Sequence, residues 1–347
     1  VLFLKLWNKD YTKRELMKHV GDISAVCGIR HTVLDDGPGR GMRVLDVDTG
    51  SGLQFSVLPD RGLDISTCRY KSIPLGFISK TGHVAPGFCT YGGTNFLRYF
   101  TGGLLTTCGY THQGAPCVDE GVSLGLHGYA TTLVSDNTSS QAGWDGDDYT
   151  MRIQGMTRES RVFGENLHLH RTISAKAGEN KIIITDKLEN AGFEPQPMMM
   201  LYHFNFGHPL VGENTTLVTG GRNKIVPKDD TAAAGLSRAD AFECPTPGYA
   251  EQVFYHDLTP DADGSVSVGL INPDLGIGVH LKFFKHELPY LIEWKQMGEG
   301  DYVCGLEPAT NKPEGRDKAR ECGELGFIQP SEIKTFNIEL VIEELTA

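Results

Sequence analysis

The sequence has no C-x-x-C spacing, no uninterrupted apolar run of membrane-spanning length, no surplus of positive charge and very little helical periodicity. Each absence removes a class of protein. Cys27, Cys68, Cys89, Cys108, Cys117, Cys244, Cys304 and Cys322 are scattered along the chain, which argues against a zinc ribbon and a thioredoxin-type redox motif. They are expected to be mostly buried, reduced thiols; the even count leaves disulfides open, although a chain of this size needs no such staple. Lys and Arg number 32 against 44 Asp and Glu, for a formal net charge of -12, which opposes the attraction that phosphate backbones and anionic membranes require. No nucleic acid and no membrane are therefore expected as partners. The opening "VLFLKLW" lacks the length and cleavage pattern of a signal peptide, so a cytoplasmic location is the expectation. Because the first residue is not Met, a trimmed or partial start stays open. There is no G-x-S-x-G for a serine hydrolase, and Cys304 reads as a strand-interior residue rather than a nucleophile. "GPGRG" at 37–41 has no βαβ context that would make it a phosphate loop, and reads as a turn.

What is present is an ordinary soluble composition, with 39% hydrophobic and 22% charged residues, in which 42 glycines and 17 prolines recur at short intervals. That punctuation suits many short strands joined by turns. Strand candidates are "RVLDVDT", "LQFSVLP", "TTLVS", "YTMRIQGMTRES", "LHLHRTISA", "KIIITDKLEN", "MMMLYHFNF", "SVSVGLIN", "GVHLKFF", "YLIEWKQM", "YVCGLEP" and "KTFNIELVIEEL". Several alternate apolar with polar residues and are rich in β-branched side chains. One helix is expected near the start, in "YTKRELMKHV", where Thr12 stands three residues before Glu15 in the capping-box arrangement. The segment 229–252 is the longest irregular stretch and reads as a lid or an insertion. No linker composition divides the chain, and no fixed period implies a propeller. The expectation is one mainly β domain over residues 1–347: stacked, large antiparallel sheets with one short N-terminal helix.

Three residues invite a chemical reading. In "LYHFNFGHPL" an extended backbone puts His203 and Asn205 on one face, and Tyr202, Phe204 and Phe206 on the other. The rings suit a packed core, so the question is what the polar pair looks at. Glu307 stands where an apolar strand meets Pro308, with Gly305 two residues earlier on the same face, leaving room for a group to approach the carboxylate. His127 is flanked by glycine on one side, Gly128, among turn-like residues, a setting that favours close backbone approach to a ligand. Bland readings stand beside these: a solvated glutamate at a strand end, a half-buried histidine beside aromatics, and a turn histidine.

The motifs "LHG" (126–128), "HFNF" (203–206) and "CGLEPATNKP" (304–313) together resemble the aldose 1-epimerase, or galactose mutarotase-like, superfamily, in order and in rough spacing. "PDRGLDIS" (59–66), "GGLLTTCG" (102–109), "YHFNFGHPL" (202–210) and "LEPAT" (306–310) resemble more specifically a poorly characterised branch of it. The resemblance implies a galactose mutarotase-like supersandwich and a carbohydrate-active isomerase that interconverts sugar anomers. On the family pattern Glu307 takes the anomeric proton and His203, protonated, gives one to the ring oxygen, each such group worth roughly 10² to 10⁴ in rate. His127 would donate near the ring oxygen, Asn205 would serve a sugar hydroxyl, and Arg98 stands about where a substrate-binding arginine is found. Arg61 either faces the site or pairs with Asp64 to hold a turn; the first is preferred. Trp294 is a platform for a sugar or, as the preferred reading, a core residue. The partner implied is a small-molecule carbohydrate, with no cofactor and no metal, and a homodimer is one assembly open to it. The chain departs from the family where an amide, Asn205, replaces a phenol, so galactose specificity does not carry over. Two readings from other classes compete: a metal-dependent sugar isomerase using His168 and His170 with His203 or His208 and Glu165, and a noncatalytic carbohydrate-binding module.

Overall fold

The computed structural model describes residues 4–345, so the first three residues of "VLFLKLW" lie outside it. Alternating side chains in the strands produce two sheets, each with one apolar face, and those faces pack together. Across the first sheet the strands run in the order Asn223–Pro227, Gln252–Leu258, Tyr290–Gly298, Asp301–Ala309, Leu201–Gly207, Leu105–Cys108, Asp64–Tyr70, Leu53–Leu58, Arg43–Asp48 and Gly28–Val33. The second runs Asp136–Asp145, Asp148–Ser160, Asn166–Lys176, Lys181–Asn190, Ile333–Glu344, Ile277–Phe284, Ser265–Asn272 and Thr216–Thr219. Neighbouring strands within both sheets are antiparallel. The protein is mainly β with large antiparallel sheets, as expected.

Between the sheets lies the main core. Tyr202, Phe204 and Phe206 point into it alongside Phe55, Leu169, Ile184, Leu281 and Ile338. A charged cluster that the sequence did not announce is enclosed there too. Arg171 Nη2 is 2.7 Å from Asp186 Oδ2, its Nη1 is 3.3 Å from Asp64 Oδ1, and the Tyr202 hydroxyl donates to Asp186 at 2.8 Å. An arginine buried in this way is tolerable only because its donors are met by carboxylates. The cluster ties the Leu201–Gly207 strand of the first sheet to the second.

Some local expectations hold and others are corrected. The helix Lys13–Met17 is present, and Thr12 and Glu15 cap each other reciprocally: the Glu15 amide donates to Thr12 Oγ1 at 3.2 Å, and the Thr12 amide donates to Glu15 Oε2 at 2.9 Å. Two further short helices, Asp230–Gly235 and Arg316–Glu321, were not expected. The first fills part of the irregular stretch 229–252, where the Asp229 side chain accepts from the Ala232 amide and Ala232 and Ala239 pack on Phe254. That stretch is a packed arm, anchored where Lys295 Nζ donates to the carbonyls of Arg238 and Ala241. "TTLVS" is not a strand: Ala130–Thr132 is a 3-10 turn whose Thr131 carbonyl accepts from Arg61. "GPGRG" is a turn, with a 3-10 segment at Gly37–Gly39. All eight cysteines are free thiols; Cys27, Cys68, Cys108 and Cys304 are buried, whereas Cys244 and Cys322 are exposed.

Candidate active site

Three adjacent strands of the first sheet build the floor of a cleft on the face turned away from the core. Phe204 pairs with Leu306 and Asn205 with Gly305, so His203 falls opposite Glu307. Glu307 in turn pairs with Ile292, and Gly305 with Trp294. Cross-strand partners share a face, so His203, Glu307 and Ile292 form one row across three strands and Asn205, Gly305 and Trp294 form the next. His203 Nε2 lies 3.1 Å from Glu307 Oε1, and both side chains are nearly buried, with 6% and 3% exposed.

Gly305 makes that approach possible. A Cβ placed there would stand 2.7 Å from Glu307 Oε1, 3.1 Å from Trp294 Cβ and 3.3 Å from His203 Cε1. The glycine clears space beside the carboxylate, as its spacing in the sequence suggests. The cleft, about 330 Å³, is walled by Phe96, Phe100, Leu126, Val253, Ile292 and Trp294, with Lys228 and Glu251 as further charged groups. A larger hollow of about 770 Å³ lies farther along the same sheet. Its acids are already engaged, Asp46 by Thr32 and Ser56 and Asp48 by Gln54, and it holds neither His203 nor Glu307.

Burial sets the electrostatics. Glu307 is pushed up to about 8 from 4.5, chiefly because leaving water penalises the carboxylate; Glu251 adds to the rise and Lys228 opposes it. His203 is pushed down to about 3 from 6.5, again by desolvation. Between those limits the pair carries one proton, and burial favours neutral imidazole beside neutral carboxyl. The imidazolium and carboxylate expected from the sequence are the other placement of that same proton.

His127 joins this pair. It sits in a left-handed backbone conformation, φ 61°, held where its amide donates to the Gly114 carbonyl at 2.9 Å. Its ring centroid is 5.7 Å from that of His203 and 5.0 Å from that of Phe96. Desolvation and the neighbouring His203 hold it well below the usual histidine range, so it is neutral. Trp294 is a wall of the cleft rather than part of the main core: it is half-buried, its ring lies edge-on to His203 at 5.3 Å, and Nε1–H donates to Glu251 Oε2 at 2.8 Å.

The remaining assignments are corrected. Asn205 shares the face of His203 but is completely buried; its Nδ2 donates to the His203 carbonyl at 2.8 Å and it does not line the cleft. Arg61 is also enclosed. It neither lines the cleft nor pairs with Asp64 but donates to the carbonyls of Thr131, Val84 and Tyr99, clamping three loops. Arg98 is exposed at the end of the 3-10 turn Asn95–Arg98, whose Phe96 and Leu97 line the cleft while Arg98 does not. The metal set proposed around His203, His208 and Glu165 does not assemble: His168 and His170 belong to the second sheet, where the acid close to them is Glu189. Lys228 and Glu251 were missed because Lys228 immediately precedes the irregular stretch 229–252 and Glu251 lies within it, where no periodicity says which way a side chain points.

The sandwich has the fold of the galactose mutarotase-like proteins. A provisionally assigned aldose 1-epimerase from Klebsiella pneumoniae is similar with a TM-score of 0.86 at 25% identity, over 90% of this chain and 83% of that one. A galactose mutarotase-like protein from Clostridium acetobutylicum (TM-score 0.64, 13% identity, 92% of this chain and 100% of that one) shares the fold. So does galactose 1-epimerase from Lactobacillus acidophilus (TM-score 0.60, 12% identity, 92% and 100%). The chain belongs to the DUF4432 family, described as a domain of unknown function, whose model matches residues 39–342. No curated protein matches the sequence.

Proposed function

We propose that this protein is an aldose 1-epimerase-like isomerase that interconverts the anomers of a small carbohydrate by acid–base catalysis, with Glu307 and His203 as its catalytic residues. The observation that carries the reading is the 3.1 Å approach of His203 Nε2 to Glu307 Oε1 on the floor of a cleft. Ring opening needs a proton removed from the anomeric hydroxyl and one given to the ring oxygen; closing needs the reverse. A pair holding a single proton meets both demands.

With Glu307 ionised and His203 protonated, opening transfers the hydroxyl proton to Glu307 and the His203 proton to the ring oxygen. The pair is then neutral on both sides, which is the arrangement burial favours. Closure on the other carbonyl face returns the protons and regenerates the ion pair. Sugar hydroxyls donating to the carboxylate and accepting from the imidazolium offset the desolvation that disfavours this charged arrangement. In this reading His127, close to His203, donates near the ring oxygen, and Trp294 and Phe100 give apolar faces to the C–H side of the sugar.

The test is proton-exchange spectroscopy of anomer interconversion over a panel of free neutral and acidic sugars, for the unaltered protein, Glu307→Gln and His203→Gln. The reading expects acceleration with at least one sugar and a loss of roughly 10² or more in each variant. Binding without acceleration on every sugar would make the cleft a noncatalytic binding site.

A further inference from the structure

On the opposite side of the sandwich, the "HLH" motif has a use that anomer interconversion leaves unassigned. In Asn166–Lys176, Leu167, Leu169 and Arg171 point into the core, so His168 and His170 point out. His168 pairs directly with Glu189 on the neighbouring strand Lys181–Asn190, and His170 is one diagonal step away. The donor atoms of all three lie within 4.8 Å of one another, and His170 Nε2 is 3.6 Å from Glu189 Oε2. A tetrahedral ion with bonds of about 2.0–2.1 Å sets its ligands about 3.4 Å apart, so one edge of the site is already at the required length and the others close by small side-chain rotations.

Asn166 Oδ1 lies 3.0 Å from His168 Nε2. An acceptor there fixes the proton on Nε2 and leaves the lone pair on Nδ1, as ligating histidines require of their outer partners. Two cations face the cluster. Arg158, opposite His168, is neutralised by Asp136 at 2.7 Å, and Lys187 stands opposite His170.

We propose that His168, His170 and Glu189 form an open site for a borderline divalent transition ion such as zinc, bracing two strands of the second sheet and leaving the solvent side of the ion to water. Two imidazoles and one carboxylate suit such an ion better than calcium or magnesium, which prefer all-oxygen sets. The site lies on the other sheet from His203 and Glu307 and takes no part in the acid–base chemistry.

Calorimetric titration of the chelator-stripped protein with zinc chloride tests this. The expected result is one zinc ion per chain, weakened about 10–100-fold or more by His170→Ala and by Glu189→Gln, because losing a ligand costs at least as much as losing an outer partner. Lys187→Gln should tighten binding by relieving repulsion. His170 is exposed, so its replacement leaves the fold intact, and far-ultraviolet circular dichroism verifies this. The proposal is overturned if no zinc binds, if both ligand variants bind as the unaltered protein does, or if binding disappears on replacing the exposed Cys244 and Cys322 instead.

Discussion

Replacing Glu307 by Gln should make the protein more stable at neutral pH while removing its acid–base partner. Burial raises the carboxyl from 4.5, its value in the unfolded chain, to about 8 in the folded protein. A group whose folded value is raised contributes stability that is fully present below the unfolded value and lost as pH rises towards the folded one. Below pH 4.5 both states hold a neutral carboxyl, and Glu307 costs nothing that Gln would not. At pH 7 the unfolded carboxyl has ionised while the folded one has not, a span of about 2.5 pH units that costs about 3 kcal/mol; above pH 8.5 the cost levels at about 5 kcal/mol. Gln cannot ionise, so the variant escapes it. The His203 shift acts in the other direction, giving stability above pH 6.5 that is lost as pH falls towards 3, and the histidine is present in both proteins. Urea unfolding of the two proteins at several values between pH 4.5 and 8.5 measures the difference directly. The expected gap opens with rising pH in favour of Glu307→Gln. A constant gap, or a less stable variant at pH 7, would refute the claim that Glu307 is desolvated, whatever substrate is later found.

Catalysis, if it depends on one proton shared by the pair, should fall as pH rises through about 8, when that proton leaves Glu307; rate measurements between pH 5 and 10 on an accepted sugar show this, and Glu307→Asp should keep a descending limb that Glu307→Gln lacks. Gly305→Ala pushes a methyl into the space 2.7 Å from Glu307 Oε1, and since the carboxylate is the flexible neighbour it swings away from His203. Turnover should then drop about 10-fold or more with little change in the unfolding midpoint, consistent with the sensitivity of catalysis to small misplacements. Arg171→Met leaves Asp186 buried without its cation, and urea unfolding should report a loss of about 3–5 kcal/mol although no atom of Arg171 reaches the cleft.

Legibility in the sequence followed periodicity. Strands with one apolar and one polar face, such as Asn166–Lys176 and Lys181–Asn190, could be read because alternation is itself the imprint of a half-buried sheet. Asp136–Asp145 could not: it is an edge strand of mostly polar residues, DNTSSQAGWD, with no apolar face to betray it. "TTLVS" failed in the opposite way, being apolar enough for a strand while its backbone is committed to the Arg61 clamp. Arg61 and Arg98 show the same limit for sites, since a guanidinium that holds carbonyls and one that faces water are spelled alike.

The sequence alone determined that the chain forms mainly antiparallel sheets, that Tyr202, Phe204 and Phe206 face a core, and that His203 and Asn205 share the other side of their strand; each follows from the two-residue period of extended backbone. It did not determine what that other side meets. The pairing of Leu201–Gly207 with Asp301–Ala309, between residues about a hundred positions apart, is what sets an imidazole opposite a carboxyl. Packing then buries Asn205 and leaves His203 at the floor of a cleft, and the exclusion of water there decides the charge on His203 and Glu307. Distance along the chain carries no record of such pairing, and the depth of burial is a property of the packed whole.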